Sequence, residues 1–273
     1  MTILQPGSSF TAPTAARPDT PVQWTGRELT LLLAALLPIS GMFILVEPIP
    51  QPAAYFEFAD NRTLFGVANF WNVTSNALFL VFGLAGLLLL ARDRLTILDE
   101  LRIAYVIFFS GIALTAFGSG WFHLAPDNDT LYWDRLPMTV AFMSLFAIIL
   151  GEHISAELGR MLLWPLLVVG AASVMYWDYT ESVSAGDLRF YGLVQFLPML
   201  LIPAIFMLYR SRFSTINFLW ATIGLYALAK VLEFFDEQIF AAGDLISGHS
   251  LKHIVASLVP LVLMRGMQAR QLR

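Results

Sequence analysis

This sequence predicts an all-α bundle of membrane-spanning helices, and three observations carry that reading. Apolar residues make up 58% of the 273 and charged residues only 13%, where soluble domains sit near about 45–50% and about 25%. Mean hydropathy is +0.69. The apolar residues are gathered into eight stretches, each close to the roughly 20 residues that cross a bilayer. The same numbers disfavour a soluble enzyme. A net charge of −4 disfavours a nucleic-acid partner, and the absence of cysteine excludes disulfides, thiolate metal ligands and thiol catalysis.

Residues 1–27 are rich in Pro, Thr, Ser and Ala. They carry no basic segment feeding an apolar run and no small-residue cleavage site, so they read as a disordered tail rather than a cleaved signal. The first stretch, 28–47, is the weakest, with Pro38 and Gly41 inside it and "EPIPQP" after it. The second, 69–91, ends at the charged "ARDRLTILDE". The third and fourth, 101–123 and 132–150, are separated by "LAPDNDTLY". The fifth, 159–177, contains Pro165, and the sixth, 188–208, contains Pro198 and Pro203. The seventh, 216–236, carries Lys230 and Glu233, and the eighth, 249–267, contains Pro260. Neighbouring helices in a membrane bundle satisfy the carbonyls that proline frees, so these prolines do not argue against spanning.

Arginine and lysine positions predict the orientation. Eight crossings put both termini and three loops on one side, with 11 of the 16 basic residues. The opposite loops take Arg62, Arg135 and Arg189, and Lys230 and Lys252 lie within helices. Both termini are therefore expected in the cytoplasm. The far side is acidic, with Asp127, Asp129, Asp134 and Asp187 among its residues.

Four histidines are present. His123 closes the third stretch, and His249 and His253 open the eighth, so the topology brings these three to one membrane end. His153 falls at the other end. Residues four apart share a helix face, and two imidazoles so placed can bind one Zn²⁺, a third from another helix leaving a fourth position open for water. An i,i+4 histidine pair taken alone is equally compatible with a structural role. Ser119 shares the helical face of His123, and Asp134 opens the fourth stretch at the same end. Beside a metal-bound water, a carboxylate would accept and return a proton, and a hydroxyl would donate to a developing oxyanion. The plainer readings are a small residue easing packing beside Gly118 and Gly120 and an acid favoured at a helix start.

Four motifs, in order and suitably separated, carry a family resemblance. "FWNVTSN" at 70–76, "GSGWFH" at 118–123, "WDRLPM" at 133–138 and "GHSLKH" at 248–253 resemble the elements of the alkaline ceramidase family, over about residues 56–267. That family belongs to a broader superfamily of seven-helix membrane proteins with the adiponectin and progestin receptors. The resemblance implies a seven-helix catalytic core around an intramembrane Zn²⁺ that hydrolyses the amide of ceramide-like lipids to a sphingoid base and a fatty acid. It makes His123, His249 and His253 the metal ligands, Asp134 the proton-transfer residue and Ser119 the transition-state donor.

This chain departs from the family's pattern in two places. The stretch 28–47 is an extra N-terminal helix, and Asn69 stands before "FWN" where the family has Glu. Some members bind Ca²⁺ through acidic residues there. Glu57, Asp60 and Asn61 offer oxygen ligands, but a solvated acidic loop is the preferred reading. Lys230 and Glu233 can pair across one helix face, as a functional charge or as mutual neutralisation, and Lys252 is expected to snorkel to the surface. The alternative function is a membrane receptor with the zinc kept for structure. A metal transporter fits less well, because no His or Asp ladder continues across the bilayer from the cluster.

Overall fold

The computed structural model describes residues 25–273 apart from Thr215. The expected tail therefore lies outside the described residues except at its last three. There the Thr25 backbone N–H donates to the Glu28 carboxylate at 2.7 Å, and Gly26 and Arg27 already belong to the first helix.

The helices in chain order are α1 (Gly26–Leu45), α2 (Phe70–Thr74), α3 (Ala77–Ala91), α4 (Arg102–Leu124), α5 (Asn128–His153), α6 (Ala156–Ser182), α7 (Arg189–Leu208), α8 (Asn217–Phe234), α9 (Asp236–Ala241) and α10 (Gly248–Ala269). The fold is all-helical. Helices α2 and α3 are two parts of one crossing interrupted at Ser75 and Asn76, so each of the eight apolar stretches corresponds to a long helix. Seven are long and apolar enough to cross a membrane, α1 included; α8 is the one that falls short. It holds Asn217, Lys230 and Glu233 within 18 residues. Its two ends nonetheless meet opposite ends of α10. Ser214, just before α8, donates its N–H to the Gln271 carbonyl at 2.9 Å. Just after α8, Asp236 accepts the His249 backbone N–H at 2.6 Å. Helix α8 thus runs antiparallel to α10 over the same depth.

Lipid tails are as apolar as leucine, so helices in a bilayer associate through close packing rather than by escaping water. Gly83 lets α3 approach α4: a Cβ there would sit 2.6 Å from the Ala113 nitrogen. Gly118 does the same for α4 and α5, where a Cβ would meet the Trp133 carbonyl oxygen at 2.0 Å. The outer faces stay apolar and exposed, as at Leu84, Phe117 and Val168, which suits contact with lipid.

One end of the bundle is locked by a buried ion pair. Arg270 Nη2 donates to Glu152 at 2.7 Å, and its guanidinium lies 3.6 Å from the centre of the Phe213 ring. The Tyr105 hydroxyl donates to Glu152 as well. Removing one partner of such a pair leaves a stranded buried charge, so this contact fixes the C-terminal residues to α4 and α5. His153 is at this end, stacked near Phe206 with ring centres 4.9 Å apart.

At the other end, the segment between α1 and α2 lies across the bundle as a strap. The Leu188 N–H donates to the Ile49 carbonyl at 2.8 Å, and the Gln51 N–H donates to Glu181 at 2.6 Å. Arg189 clasps Asp187 through Nε and Nη2 at 2.9 and 2.8 Å and also reaches the Val46 carbonyl. Those hydrogen bonds hold the Asp187 carboxyl down at about 2.

Candidate metal centre and its cavity

The last turn of α4 and the first two turns of α10 meet at the strap end. His123 from α4 and His249 and His253 from α10 are all buried there, with one ligating atom of each within 4.8 Å of the others. The Nε2 atoms of His123 and His249 are 3.4 Å apart. This group could hold a metal ion. His153 is at the opposite end of α5 and takes no part.

Polar side chains from α2 and its junction with α3 orient the cluster. Ser75 Oγ donates to the Asn72 carbonyl at 3.2 Å and lies within hydrogen-bond reach of His253 Nδ1 at 3.0 Å. The Asn76 amide nitrogen is also 3.4 Å from His253 Nδ1, so Ser75 and Asn76 together orient the ring; a proton on Nδ1 leaves the Nε2 lone pair for the other histidines. Asn72 Oδ1 accepts from the Ser250 hydroxyl at 2.6 Å, tying the junction to α10. Asn69, at left-handed φ 49, donates its amide to the His123 carbonyl at 2.8 Å. Phe58 from the strap packs its ring 4.8 Å from His123 and 5.1 Å from His249.

None of these supporting roles was read from the sequence, although Asn72, Ser75 and Asn76 have the i, i+3, i+4 spacing of one helix face. Asn69 is committed to bracing His123. Asp60 is committed to Arg62, whose Nη2 it accepts at 2.7 Å, while Glu57 and Asn61 are exposed. The loop therefore uses its acidic residue in an ion pair.

Ser119 and Asp134 are buried, 3% and 7% exposed, and line the same cavity as the three histidines. Gly118 brings their helices together, and no Cβ contact is blocked at Gly120. Asp134 Oδ1 is buried with no hydrogen-bond partner among the described residues, while the Ser119 hydroxyl is close enough to interact with the same carboxyl.

The cavity has a volume of about 470 Å³, within the range of small-molecule sites. From the histidines it extends between α4, α5, α7, α8 and α10, reaching Phe108, Ile149, Phe206 and Leu263 near the other membrane end. Met42 from α1 contributes to its wall. One end is polar and the length is apolar, which is the profile of a lipid with its reactive group at the head.

Lys252 does not snorkel. It donates to Glu233 of α8, which also accepts from Lys230 at 2.7 Å, and all three residues line the cavity. The expected Lys230–Glu233 pair forms, and Lys252 joins it. Arg135 is also displaced from expectation: it lies inside α5 and is buried, not in a loop.

A family model described as Ceramidase matches residues 62–269. No curated protein matches the chain.

Proposed function

The chain belongs to the ceramidase family, and from that premise we propose that it is a membrane-embedded, Zn²⁺-dependent hydrolase of ceramide-like sphingolipids. The products are a sphingoid base and a free fatty acid. One observation carries this reading: three buried histidines close the polar end of an apolar cavity that Ser119 and Asp134 also line. Three imidazoles without thiolates suit Zn²⁺. Two nitrogens at tetrahedral positions about 2.05 Å from a zinc ion lie about 3.3 Å apart, close to the 3.4 Å between His123 and His249.

His123, His249 and His253 hold the metal. When bound, Zn²⁺ supplies a Lewis acid and lowers the pKa of water into the neutral range. Asp134 takes the proton released by the attacking water and returns it to the nitrogen of the breaking C–N bond. Ser119 donates a hydrogen bond to the oxygen of the tetrahedral intermediate. Ser75 keeps His253 in the tautomer that presents Nε2. The apolar cavity takes the acyl chain and excludes water from the reacting end. A structural metal needs neither a hydroxyl nor a carboxyl beside it, so Ser119 and Asp134 on the wall of the histidines' cavity favour catalysis. The test is fatty-acid release from a panel of lipid amides by purified protein. Release should stop on chelation and return with Zn²⁺. A protein that cleaves no member of the panel, or cleaves it equally well after chelation, overturns the proposal.

We place α2–α10 as the catalytic bundle, with α1 an added helix along α7. Both termini face the cytoplasm in this reading. Arg135 and Arg270 are buried, so the far-side loops keep only Arg62 and Arg189 against 10 other basic residues on the near side, and the metal centre faces away from the cytoplasm. The absence of native cysteine makes the check direct. A cysteine introduced at the exposed Ala185 should react with an impermeant thiol reagent from the non-cytoplasmic face and one after Arg273 should not. The reverse pattern, or equal labelling, refutes the orientation.

A further inference from the structure

Four arginines among the described residues lie over aromatic rings, and three of them also have a carboxylate: Arg62 has Asp60, Arg189 has Asp187 and Arg270 has Glu152. Arg135 is the exception. It is 5% exposed, lines the cavity one residue after Asp134, and forms no ion pair among the described residues. Its guanidinium carbon is held instead by aromatic faces, 4.1 Å from the ring centre of Trp177, 4.6 Å from Tyr191 and 5.7 Å from Tyr55. Aromatic quadrupoles stabilise a cation but accept its hydrogen bonds poorly. One nitrogen, Nη2, donates to Gln51 Oε1 at 2.7 Å.

Three buried atoms around this cage find no acceptor among the described residues: Arg135 Nη1, Gln51 Nε2 and Trp177 Nε1. All three are donors. They are held together by the Gln51–Arg135 bond and the Arg135–Trp177 stack. Burying donors without acceptors is costly, and burying a charge without a counter-charge more so. A neutral hydroxyl would satisfy one of the donors and leave the charge. A guanidinium is matched in shape and charge by carboxylate or phosphate.

We infer that Arg135, on the cavity wall, with Gln51 and Trp177 packed behind it, forms a subsite for an anionic oxygen group on the lipid that fills the cavity. This rests on reading the cavity as a lipid site. Two sources share the chemistry: the carboxylate of the fatty acid left by amide cleavage, and a phosphate on the polar end of the lipid amide itself. The loop residue Gln51 reaches the subsite because the strap is tied to α6 and α7, so the strap positions a recognition group as well as covering the bundle.

The experiment compares three twelve-carbon chains, laurate, dodecyl phosphate and dodecanol, titrated calorimetrically into full-length protein in nanodiscs of neutral lipid. Hydrogen bonds to charged groups are worth about 1.5–3 kcal/mol, so at least one anion should bind about 10–100-fold more tightly than dodecanol. Arg135→Gln should remove that preference. Gln51→Glu should remove it too, by giving Arg135 an internal counter-charge, and it does not depend on the arginine variant folding. His253→Ala should keep the preference, which separates this subsite from a carboxylate held by the metal. A laurate-selective response assigns the product carboxylate, and a dodecyl phosphate-selective one assigns the substrate headgroup. Equal binding of all three chains by the unaltered protein, or a preference that survives in Gln51→Glu, overturns the inference. These titrations need no turnover, so a failure of the hydrolase reading is seen separately.

Discussion

Purified His253→Ala protein should contain little metal, where the unaltered protein should carry about one Zn²⁺ per chain. Removing one of three protein ligands leaves two imidazoles and solvent, too few for a stable tetrahedral site. The loss should reach at least tenfold in bound metal at a fixed free Zn²⁺ concentration, and turnover should fall with it. Ser75→Ala is the graded companion. It removes the hydroxyl 3.0 Å from His253 Nδ1 and not a ligand, so affinity should drop about 10–100-fold while saturating Zn²⁺ restores occupancy. His153→Ala is the control, because His153 lies at the far end of α5 beside Phe206. Metal content by mass spectrometry across the four proteins decides the matter. Equal loss in the His153 and His253 variants places the metal elsewhere.

The parts of this site that were legible before the structure are those that repeat at helical spacing. His249 and His253 are four apart, Ser119 and His123 are four apart, and the alternation of crossings brings both pairs to one end. The crossings themselves were visible as apolar runs, but their edges were not. Helix α5 begins at Asn128, because Asp127 caps it by accepting the Thr130 N–H at 2.7 Å. Helix α6 continues through Ser182, well past Trp177, because polar residues prolong a helix where hydropathy sees only its end. What stayed hidden depends on contacts between distant segments. Lys252 meets Glu233 only because the α9 turn folds α8 back against α10. Phe58 reaches His123, and Gln51 reaches Arg135, from a proline-rich strap with no periodicity to read. Arg135 looked like a loop residue because charge in an apolar sequence normally marks a boundary. Here an aromatic cage tolerates it inside a helix.

Asp134→Ala protein should keep its metal and lose turnover by about 10²–10⁴-fold, the range of a positioned acid–base group. The bonds that orient the histidines come from Asn69, Ser75 and Asn76 and not from Asp134, so the substitution leaves no ligand unbraced. Asp134→Asn is the sharper variant, since it keeps the shape between α4 and α5 while abolishing proton acceptance, and it should lose as much. Ser119→Ala should lose about 10²–10³-fold in kcat, as single oxyanion donors do, with KM changed far less, because the hydroxyl acts on an oxygen that gains charge only in the transition state. Neither effect has the form of a packing defect. Gly118 makes the close approach of α4 to α5, and a methyl there would meet the Trp133 carbonyl oxygen at 2.0 Å. Gly118→Ala should therefore lower thermal stability and metal content together, a pattern distinct from both catalytic variants. Fatty-acid release, zinc content and melting temperature measured on the same preparations separate the three cases. Full activity in Asp134→Asn would remove proton transfer by this residue from the mechanism, and loss of zinc in step with activity would return Asp134 to a structural role.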